Sequence, residues 1–231
     1  MLSIRFLGHS AFALTDGSRE VLVDPFLTGN PLGAARPEEF NPVAILLTHA
    51  HNDHVGDTIS ISKRTGAKVI CTFELGEYLE AQGINADYGN HGGTIKFDGG
   101  SAKITPAWHT SSFTTDDGAV VAPGVPAGLI VRFGGKTTFF AGDTCLFGDM
   151  ALIGEEGLDV AVIPIGDHFT MGPADAVRAL KFLKPGVGIP CHYNTFPPIV
   201  QDPHAFARDA QDKAGVKVEV LDPGETYVVV E

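Results

Sequence analysis

Two short apolar runs, which lack the polar alternation of a half-exposed strand, constrain the fold of this chain most strongly. They cover residues 43–47 and 159–164, and such runs are typical of strands that are covered on both faces. Residues 173–183 carry apolar side chains at helical spacing, which predicts a helix whose apolar face packs on a sheet. The sequence therefore predicts a layered α/β protein.

Further strands and helices are predicted from apolar patterns, helix caps and turn signals. Strands are predicted at 4–7, 11–14, 20–23, 68–71, 94–97, 102–106, 129–133, 137–141, 187–190, 216–221 and 226–230, and helices at 57–64, 74–81 and 203–214. No linker or internal repeat interrupts this series. We therefore expect one domain over residues 1–231, in which the segment 110–126 is a loop that shapes a pocket.

The amino-acid composition limits the partners that this protein can have. The chain has 16 Lys and Arg against 28 Asp and Glu, a net charge of −12, and such a surface repels the phosphates of nucleic acids. No apolar run approaches the ~20 residues that span a bilayer, and no secretory signal opens the sequence. We therefore expect a small-molecule substrate, no nucleic acid and no membrane partner, while nothing in the sequence supports a homo-oligomer.

The three cysteines predict a reducing compartment. Cys71, Cys145 and Cys191 are widely spaced and form no CxxC pattern, which argues against a disulfide framework. We therefore expect a cytoplasmic location. Cys145 and Cys191 lie next to candidate metal ligands, and unreactive thiols are favoured there over thiolate ligands.

A dense cluster of histidines predicts a metal site. Residues 49–54 contain His49, His51, Asp53 and His54, although the whole chain has nine histidines in 231 residues. His49 and His51 project to the same side of an extended segment, whereas His54 needs a turn after Asp53. Imidazole nitrogen and carboxylate oxygen are ligands that zinc accepts. The spacing therefore suits two adjacent metal sites rather than one.

Ligands from other parts of the chain are needed to complete two coordination shells. His109, Asp143 and His192 each follow a predicted strand closely, as His49 and His168 also do. The carboxyl ends of strands in layered α/β proteins are where binding and catalytic groups gather. We therefore expect these side chains to meet at one edge of the fold, with Gly142 allowing a close backbone approach to the metals.

In this arrangement the chain resembles the metallo-β-lactamase superfamily, whose motif is HxHxDH followed by a distant His, a distant Asp and a final His. The corresponding residues are His49, His51, Asp53, His54, His109, Asp143 and His192. Asp24 matches the structural aspartate on an early strand of that superfamily, and the resemblance covers residues 7–193. It implies a four-layer αββα sandwich, in which two mixed β-sheets pack between outer helices with a dinuclear site at one edge.

The resemblance also implies how the ligands divide between two ions. One ion would be held by His49, His51 and His109, the second by Asp53, His54 and His192, and Asp143 would bridge them. True zinc β-lactamases generally lack a bridging aspartate at this position, so the chain is similar to the hydrolase branches rather than to antibiotic-cleaving enzymes. Gly8-His9-Ser10 and the segment 165–173 resemble small hydrolases related to ascorbate-6-phosphate lactonase.

A hydrolytic mechanism follows from this reading. Two divalent ions would lower the pKa of a shared water from 15.7 toward about 7, so that hydroxide attacks a carbonyl or phosphoryl centre. Asp53 would ligate metal and orient that water. His168 would protonate the leaving group or bind the substrate, or would instead hydrogen-bond to a ligand. His9 is expected to contact substrate or a ligand, and Asn194 to reach substrate. Asp24 is expected to orient the segment 48–54, which carries the clustered ligands and which we call the ligand loop.

We therefore expect a metal-dependent hydrolase that cleaves a small ester, lactone or phosphoester. Zinc is the expected ion, and Mn²⁺, Fe²⁺ and Ni²⁺ are alternatives because they also occupy N/O sites. One alternative function is a nuclease or phosphodiesterase acting on RNA or DNA, which the acidic charge disfavours. A second alternative is a non-catalytic metal-binding protein, whose site would be closed to exchangeable water.

Overall fold

The computed structural model describes residues 1–115 and 117–230. Its strands, in chain order, are β1 (Leu2–Gly8), β2 (Ala11–Thr15), β3 (Glu20–Val23), β4 (Ala44–Leu46), β5 (Lys68–Thr72), β6 (Ala86–Gly89), β7 (Thr94–Phe97), β8 (Gly100–Pro106), β9 (Phe113–Thr114), β10 (Val120–Val121), β11 (Ala127–Phe133), β12 (Lys136–Phe140), β13 (Val160–Pro164), β14 (Val187–Cys191), β15 (Lys217–Val218) and β16 (Thr226–Val229). The helices are α1 (Asn52–Val55), α2 (Thr58–Thr65), α3 (Phe73–Ala81), α4 (Met150–Gly154), α5 (Pro173–Leu183) and α6 (Pro203–Ala214).

Fourteen of these strands form two mixed sheets of seven. The first sheet has the order β16-β1-β2-β3-β4-β5-β6, and the second has the order β15-β14-β13-β12-β11-β8-β7. In each sheet one half is antiparallel and the other half is parallel, with the change at β3 in the first sheet and at β12 in the second. The short strands β9 and β10 pair only with each other.

The two sheets pack face to face and are covered by helices on their outer faces. One apolar cluster joins inward side chains of both sheets, such as Leu46 and Ile189. A second cluster packs α4, α5 and α6 on the second sheet, and a third packs α2 and α3 on the first sheet. This is the predicted four-layer αββα sandwich of two mixed sheets.

The strand β4 shows why its sequence is apolar throughout. Leu46 points into the cluster between the sheets, whereas its neighbours Ile45 and Leu47 point into the helical layer. Successive side chains of a strand face opposite sides, so a strand with both faces covered has no polar position. The prediction from residues 43–47 is confirmed, and β13 shows the same division of its side chains.

The predicted helices at 57–64, 74–81, 173–183 and 203–214 correspond to α2, α3, α5 and α6. The strand β6, the short helices α1 and α4 and the β9–β10 hairpin were not predicted. The hairpin lies inside the segment 110–126, which was predicted to be a loop. Its strands are two residues long, too short for a periodic pattern.

Within the described residues, no helix combines the length and the apolar character that crossing a membrane requires.

Candidate metal centre

The turn from β4 into α1 arranges the clustered histidines. His49 follows β4 after two residues, and α1 is a single helical turn in which the His54 backbone N–H donates to the His51 carbonyl at 2.9 Å. This helical turn redirects the chain between His51 and His54, but it begins at Asn52, whereas the spacing predicted a turn after Asp53. Side chains that are close in sequence can therefore point toward two different candidate metal sites.

The described residues bring the predicted ligands together in two groups, each with ligand atoms within 4.8 Å of one another. One group contains His49, His51, His109 and Asp143, and the other contains His9, Asp53, His54 and His192. The strands that deliver these residues belong to both sheets, and their loops meet at one edge of the sandwich. All seven predicted ligands are in these groups, and His9 is the eighth member.

The Asp143 carboxylate lies between the two groups. Its Oδ2 atom is 3.5 Å from Nε2 of His109 and 3.0 Å from Nε2 of His192. Its Oδ1 atom is 3.4 Å from Nε2 of His54. Asp143 is therefore within reach of ligand atoms from both groups, as a bridging carboxylate must be.

Glycine before Asp143 lets this loop approach the ligand loop. Gly142 has a φ of +62°, and a Cβ atom there would lie 2.7 Å from the Ala127 carbonyl oxygen and 2.9 Å from Cβ of Thr48. A larger residue would therefore clash and would also adopt a strained left-handed conformation. The predicted need for a close approach at Gly142 is explained by contact with Thr48, which precedes His49.

The ligand nitrogen and oxygen atoms are better placed to bind divalent cations than to form hydrogen bonds with one another. Nε2 of His54, Oδ1 of Asp143 and Nδ1 of His192 are buried without a hydrogen-bond partner, although buried polar groups are normally paired. Nε2 of His49 and Nδ1 of His51 face each other at 3.0 Å. Nitrogen and carboxylate oxygen atoms that converge in this way form a donor set that zinc and similar ions accept.

Burial and charge set the protonation of the ligands. Burial lowers the pKa of His49, His51 and His109, which keeps their imidazoles neutral. Burial would also lower the pKa of His54, but the carboxylates of Asp143 and Asp24 outweigh it and raise that pKa well above its usual value. A cation at this position would take the place of the proton that His54 otherwise holds.

The carboxylates remain ionised despite their burial. Burial alone would raise the pKa of Asp143, yet His192 and His54 hold it well below its usual range. Burial acts in the same direction on Asp53, where a hydrogen bond from His9 and the charge on His54 lower the pKa. The site therefore offers two negative charges to bound cations.

Asp24 orients one ligand in each group without belonging to either. Its Oδ2 atom accepts from the Thr48 hydroxyl at 2.6 Å and from Nδ1 of His54 at 2.8 Å. Because the Thr48 hydroxyl donates to Asp24, it accepts from Nδ1 of His49 at 3.0 Å. Nδ1 of both imidazoles therefore carries a proton, which leaves Nε2 of each as the atom that would bind a metal ion.

His9 is fully buried behind Asp53. Its Nε2 atom is 3.1 Å from Oδ2 of Asp53, and its Nδ1 atom is 2.9 Å from the Thr195 hydroxyl. Burial lowers the pKa of His9 to about 4, so the ring is neutral at physiological pH. Of the two contacts expected from the sequence, the geometry favours the one to a ligand.

One side of the centre is accessible to solvent. The Asp53 side chain is 30% exposed and that of His109 is 14% exposed, whereas His54 and Asp143 are closed to solvent. His51 is half-buried. A substrate would therefore approach from the side of His51, Asp53 and His109.

Two predicted site residues lie apart from both groups. His168 is exposed, with a φ of +42° and its ring edge-on to Phe169, and among the described residues it has no hydrogen bond or ion pair to a clustered ligand. Asn194 is exposed, and its Oδ1 atom accepts from the Gln201 backbone N–H at 2.8 Å. That bond holds the loop after β14, and the roles of His168 and Asn194 stay predictions.

Two hydroxyl groups beside the ligands were not singled out from the sequence. Thr48 was detectable in principle, because it separates the end of a buried strand from His49. Thr195 was not, since it lies 186 positions from its partner His9 and no local pattern joins them.

Comparison with known proteins identifies the family. A family model described as a β-lactamase superfamily domain matches residues 19–193. A UPF0173 metal-dependent hydrolase of Thermus thermophilus is 53% identical over 225 residues, which cover 97% of this chain and 98% of the relative. The chain belongs to the UPF0173 metal-dependent hydrolases of the β-lactamase superfamily.

Other relatives of this hydrolase agree with its assignment. A UPF0173 metal-dependent hydrolase of Deinococcus radiodurans is 49% identical over 230 residues, covering 98% of this chain and 99% of the relative. The solved structure of Igni18, a metallo hydrolase from Ignicoccus hospitalis, is 39% identical with a TM-score of 0.88 and covers 98% of this chain and 97% of its own. The predicted superfamily is thus confirmed, whereas the narrower resemblance to ascorbate-6-phosphate lactonase stays a prediction.

A more distant solved structure shows the fold alone. The diiron β-hydroxylase CmlA from Streptomyces venezuelae is 18% identical with a TM-score of 0.75, covering 98% of this chain and 54% of its own. The sandwich thus occurs in a protein named for different chemistry, so function has to be argued from the site.

Proposed function

We propose that this metal-dependent hydrolase holds two divalent ions and cleaves a small ester, lactone or phosphoester. The observation that carries the proposal is the Asp143 carboxylate, whose two oxygen atoms lie within 3.0–3.5 Å of ligand nitrogens from both groups. A single carboxylate shared in this way is the arrangement expected for a pair of ions. Zinc is the ion that we expect, and Mn²⁺, Fe²⁺ and Ni²⁺ suit the same donors.

The ligands would divide between the ions as their grouping suggests. His49, His51 and His109 would hold one ion. Asp53, His54 and His192 would hold the other, and Asp143 would contribute to both. Bound ions of this kind lower the pKa of a coordinated water toward about 7 and polarise a carbonyl or phosphoryl oxygen.

Asp53 is the residue that we propose to orient the attacking water. It is ionised, because the hydrogen bond from His9 and the charge on His54 lower its pKa, and its side chain is 30% exposed on the open side of the centre. A carboxylate in that position can accept a hydrogen bond from the water and orient it toward a substrate. The buried ring of His9 would hold this carboxylate in position.

His168 is the proposed proton donor to the leaving group. It lies on the loop between β13 and α5, and its side chain is exposed and therefore accessible to a substrate. Protonation is needed because an alkoxide is a poor leaving group, and a positioned acid contributes about 10²–10⁴-fold to such steps. Asn194, whose Oδ1 atom is already hydrogen-bonded, would serve the site by holding the adjacent loop.

The net charge, the cysteines and the apolar core support three further parts of the proposal. These are a small-molecule substrate, a cytoplasmic location and a single domain. The net charge of −12 disfavours a nucleic acid substrate, so we propose a small molecule. Cys71, Cys145 and Cys191 are all free thiols, which supports a reducing compartment such as the cytoplasm. One cluster of apolar side chains joins strands from both halves of the chain, which supports a single domain.

A hydrolysis screen on protein of measured metal content tests the function. The substrates are carboxylic esters, lactones, thioesters, phosphomonoesters, phosphodiesters and β-lactams, each offered to metal-loaded and to chelator-treated protein. We expect turnover of at least one ester or lactone that is lost with the metal and restored by zinc. Turnover that survives complete metal removal, or none on any substrate at full metal content, contradicts the proposal.

A further inference from the structure

A cavity of about 540 Å³ lies beside the metal centre. It is bordered by α1, α2, α3 and the β9–β10 hairpin, whose described residues 113–115 and 117–121 we call the flap. The residues that line it are Asn52, Val55, Gly56, Ile59, Leu75, Tyr78, Leu79, Gln82, Phe113, Thr114, Thr115 and Asp117. None of the clustered ligands is among them, so the cavity is a separate feature of the molecule, and its size is typical of small-molecule sites.

Hydrogen bonds fix the flap to the ligand loop. The Asn52 side chain accepts from the Thr114 backbone N–H at 3.1 Å and donates to the Thr114 carbonyl at 3.4 Å. Three residues before the flap, the Thr110 hydroxyl is 3.3 Å from Nε2 of the ligand His51 and adds a second contact to the ligand loop. The flap therefore keeps a defined position relative to the metal centre, and the cavity under it does too.

The single helical turn α1 is the wall between the cavity and the metal centre. Asp53 and His54 belong to the ligand groups, whereas Asn52 and Val55 line the cavity. Asn52 is exposed and Asp53 is partly exposed, so the cavity and the metal centre both reach the surface at this edge of α1. A substrate that lies across Asn52 would place its reacting bond at Asp53 and one arm in the cavity.

The residues that line the cavity determine which kind of substrate group can bind there. Val55, Ile59 and Phe113 form half-buried apolar walls, and the Phe113 ring packs edge-on against Tyr78 at 4.8 Å. The described lining residues contain no Lys, Arg or His, and their one carboxylate, Asp117, lies in the flap. A phosphate or carboxylate would find no cation there to offset the cost of burying its charge, whereas an uncharged arm would pack on the apolar walls beside polar groups such as those of Asn52 and Gln82.

We propose that this cavity binds the uncharged acyl or aryl arm of the substrate, which makes a carboxylic ester or lactone with an apolar chain the preferred substrate class. This inference rests on the proposed function, since it assigns a substrate to that same metal centre. It excludes a phosphorylated arm in the cavity. The reaction adds one water to the acyl carbon, breaks the bond from that carbon to the leaving oxygen, and gives a carboxylate, an alcohol and one proton; from a lactone the carboxylate and the alcohol are on one product molecule.

A chain-length series tests the assignment on the zinc-loaded protein. The probes are 4-nitrophenyl acetate, butyrate and hexanoate, which share a leaving group and differ only in the acyl arm. About 0.8 kcal/mol per buried methylene corresponds to a rise in kcat/KM of about fourfold for each added CH₂. A wild-type protein without any such rise overturns the proposal.

A cavity-filling variant locates the effect. Ile59→Phe adds volume to a half-buried wall, and we expect it to lower the ratio of hexanoate to acetate turnover at least tenfold. The matched control is Leu152→Phe, which enlarges an exposed side chain outside the cavity and should keep the wild-type ratio. An unchanged ratio in Ile59→Phe, with a wild-type circular dichroism spectrum, overturns the assignment.

A binding measurement separates this inference from the proposed function. Hexanamide is uncharged, and its binding to zinc-loaded wild-type protein is followed through backbone amide resonances, with acetamide as the short-arm reference. We expect hexanamide to bind at least tenfold more tightly and to shift the resonances of Ile59, Tyr78 and Phe113. If hexanamide binds there but no ester is hydrolysed, the proposed function fails and the cavity assignment stands. If esters are hydrolysed but hexanamide shifts none of these resonances, the cavity assignment fails.

Discussion

At the scale of single residues, Asp24 influences both ligand groups although it belongs to neither. It is buried, and its one Oδ2 atom accepts from the Thr48 hydroxyl and from Nδ1 of His54. The first contact fixes the ring of His49 through Thr48, and the second fixes His54 directly. One carboxylate therefore selects the tautomer of a ligand on each side of the centre.

Replacing Asp24 with Asn should weaken metal binding while keeping the fold. The φ of Asp24 is +44°, a conformation that Asn also tolerates. Loss of such supporting contacts lowers metal affinity by about 10–100-fold, which competition with a chromogenic chelator would measure. Asp87→Asn, at an exposed pair with Lys68, removes the same charge elsewhere and should keep wild-type affinity. Equal affinities in both variants would refute the orienting role.

The assignment of His168 as proton donor makes a different prediction. His168→Asn keeps a residue that accepts the left-handed backbone at this position and removes the acid. We expect turnover to fall by about 10²–10⁴-fold on substrates with poor leaving groups, whereas 4-nitrophenyl esters, whose leaving group needs no proton, should react almost normally. Metal content should stay at the wild-type value. Equal losses on both kinds of substrate would argue against proton donation.

The sequence predicted the clustered ligands because their signal is local. His49, His51, Asp53 and His54 occupy six consecutive positions, where chance is a poor explanation. The pairing of His9 with Asp53 and Thr195 joins residues 44 and 186 positions apart, and only the folded chain reveals it. The sequence predicted that Asn194 reaches substrate. It did not predict the hydrogen bond that Asn194 accepts from the Gln201 backbone N–H.

At the scale of elements, the most reliable predictions came from apolar sequence patterns that extend over a whole buried strand or helix. β4 and β13 are apolar on both faces because a second sheet and a helical layer cover them. The flap was not predicted because its two-residue strands have no periodic sequence pattern. A hydrogen bond to Asn52 holds them in place instead. Tertiary contacts, not local propensity, define such an element.

The turn after β12 offers a direct test of how elements position the site. Gly142→Ala should cost about 1–2 kcal/mol for the left-handed backbone and about 1–3 kcal/mol more for overpacking against Ala127 and Thr48. Denaturant unfolding measures the sum. Gly135→Ala is the control, because its φ is +76° with no atom near the added Cβ, so it should show the backbone term alone. Equal losses in the two variants would show that the close contact is unimportant.

At the scale of the whole molecule, the metal centre lies where the two sheets meet. His9, His49 and His54 follow strands of the first sheet, while Asp143 and His192 follow strands of the second. Bound cations would therefore hold together loops from both halves of the sandwich. Without them, unpartnered buried atoms such as Nε2 of His54 and Oδ1 of Asp143 remain at this edge.

Metal removal should therefore destabilise the entire fold. A ligand at 1,000 times its dissociation constant stabilises the native state by about 4 kcal/mol, which for a chain of this size corresponds to about 8–16 °C in Tm. Calorimetry before and after chelation, followed by zinc addition, would measure it. An unchanged Tm after verified metal loss would show that the ions do not link the two sheets.

The central claim is that two ions share the carboxylate of Asp143, and elemental analysis tests it most directly. Wild-type protein and the Asp143→Ala variant are loaded with zinc and dialysed together, and the bound metal per chain is determined by mass spectrometry. We predict two ions per chain in the wild type and at most one in the variant. Two ions per chain in Asp143→Ala, or none in the wild type, would contradict the account.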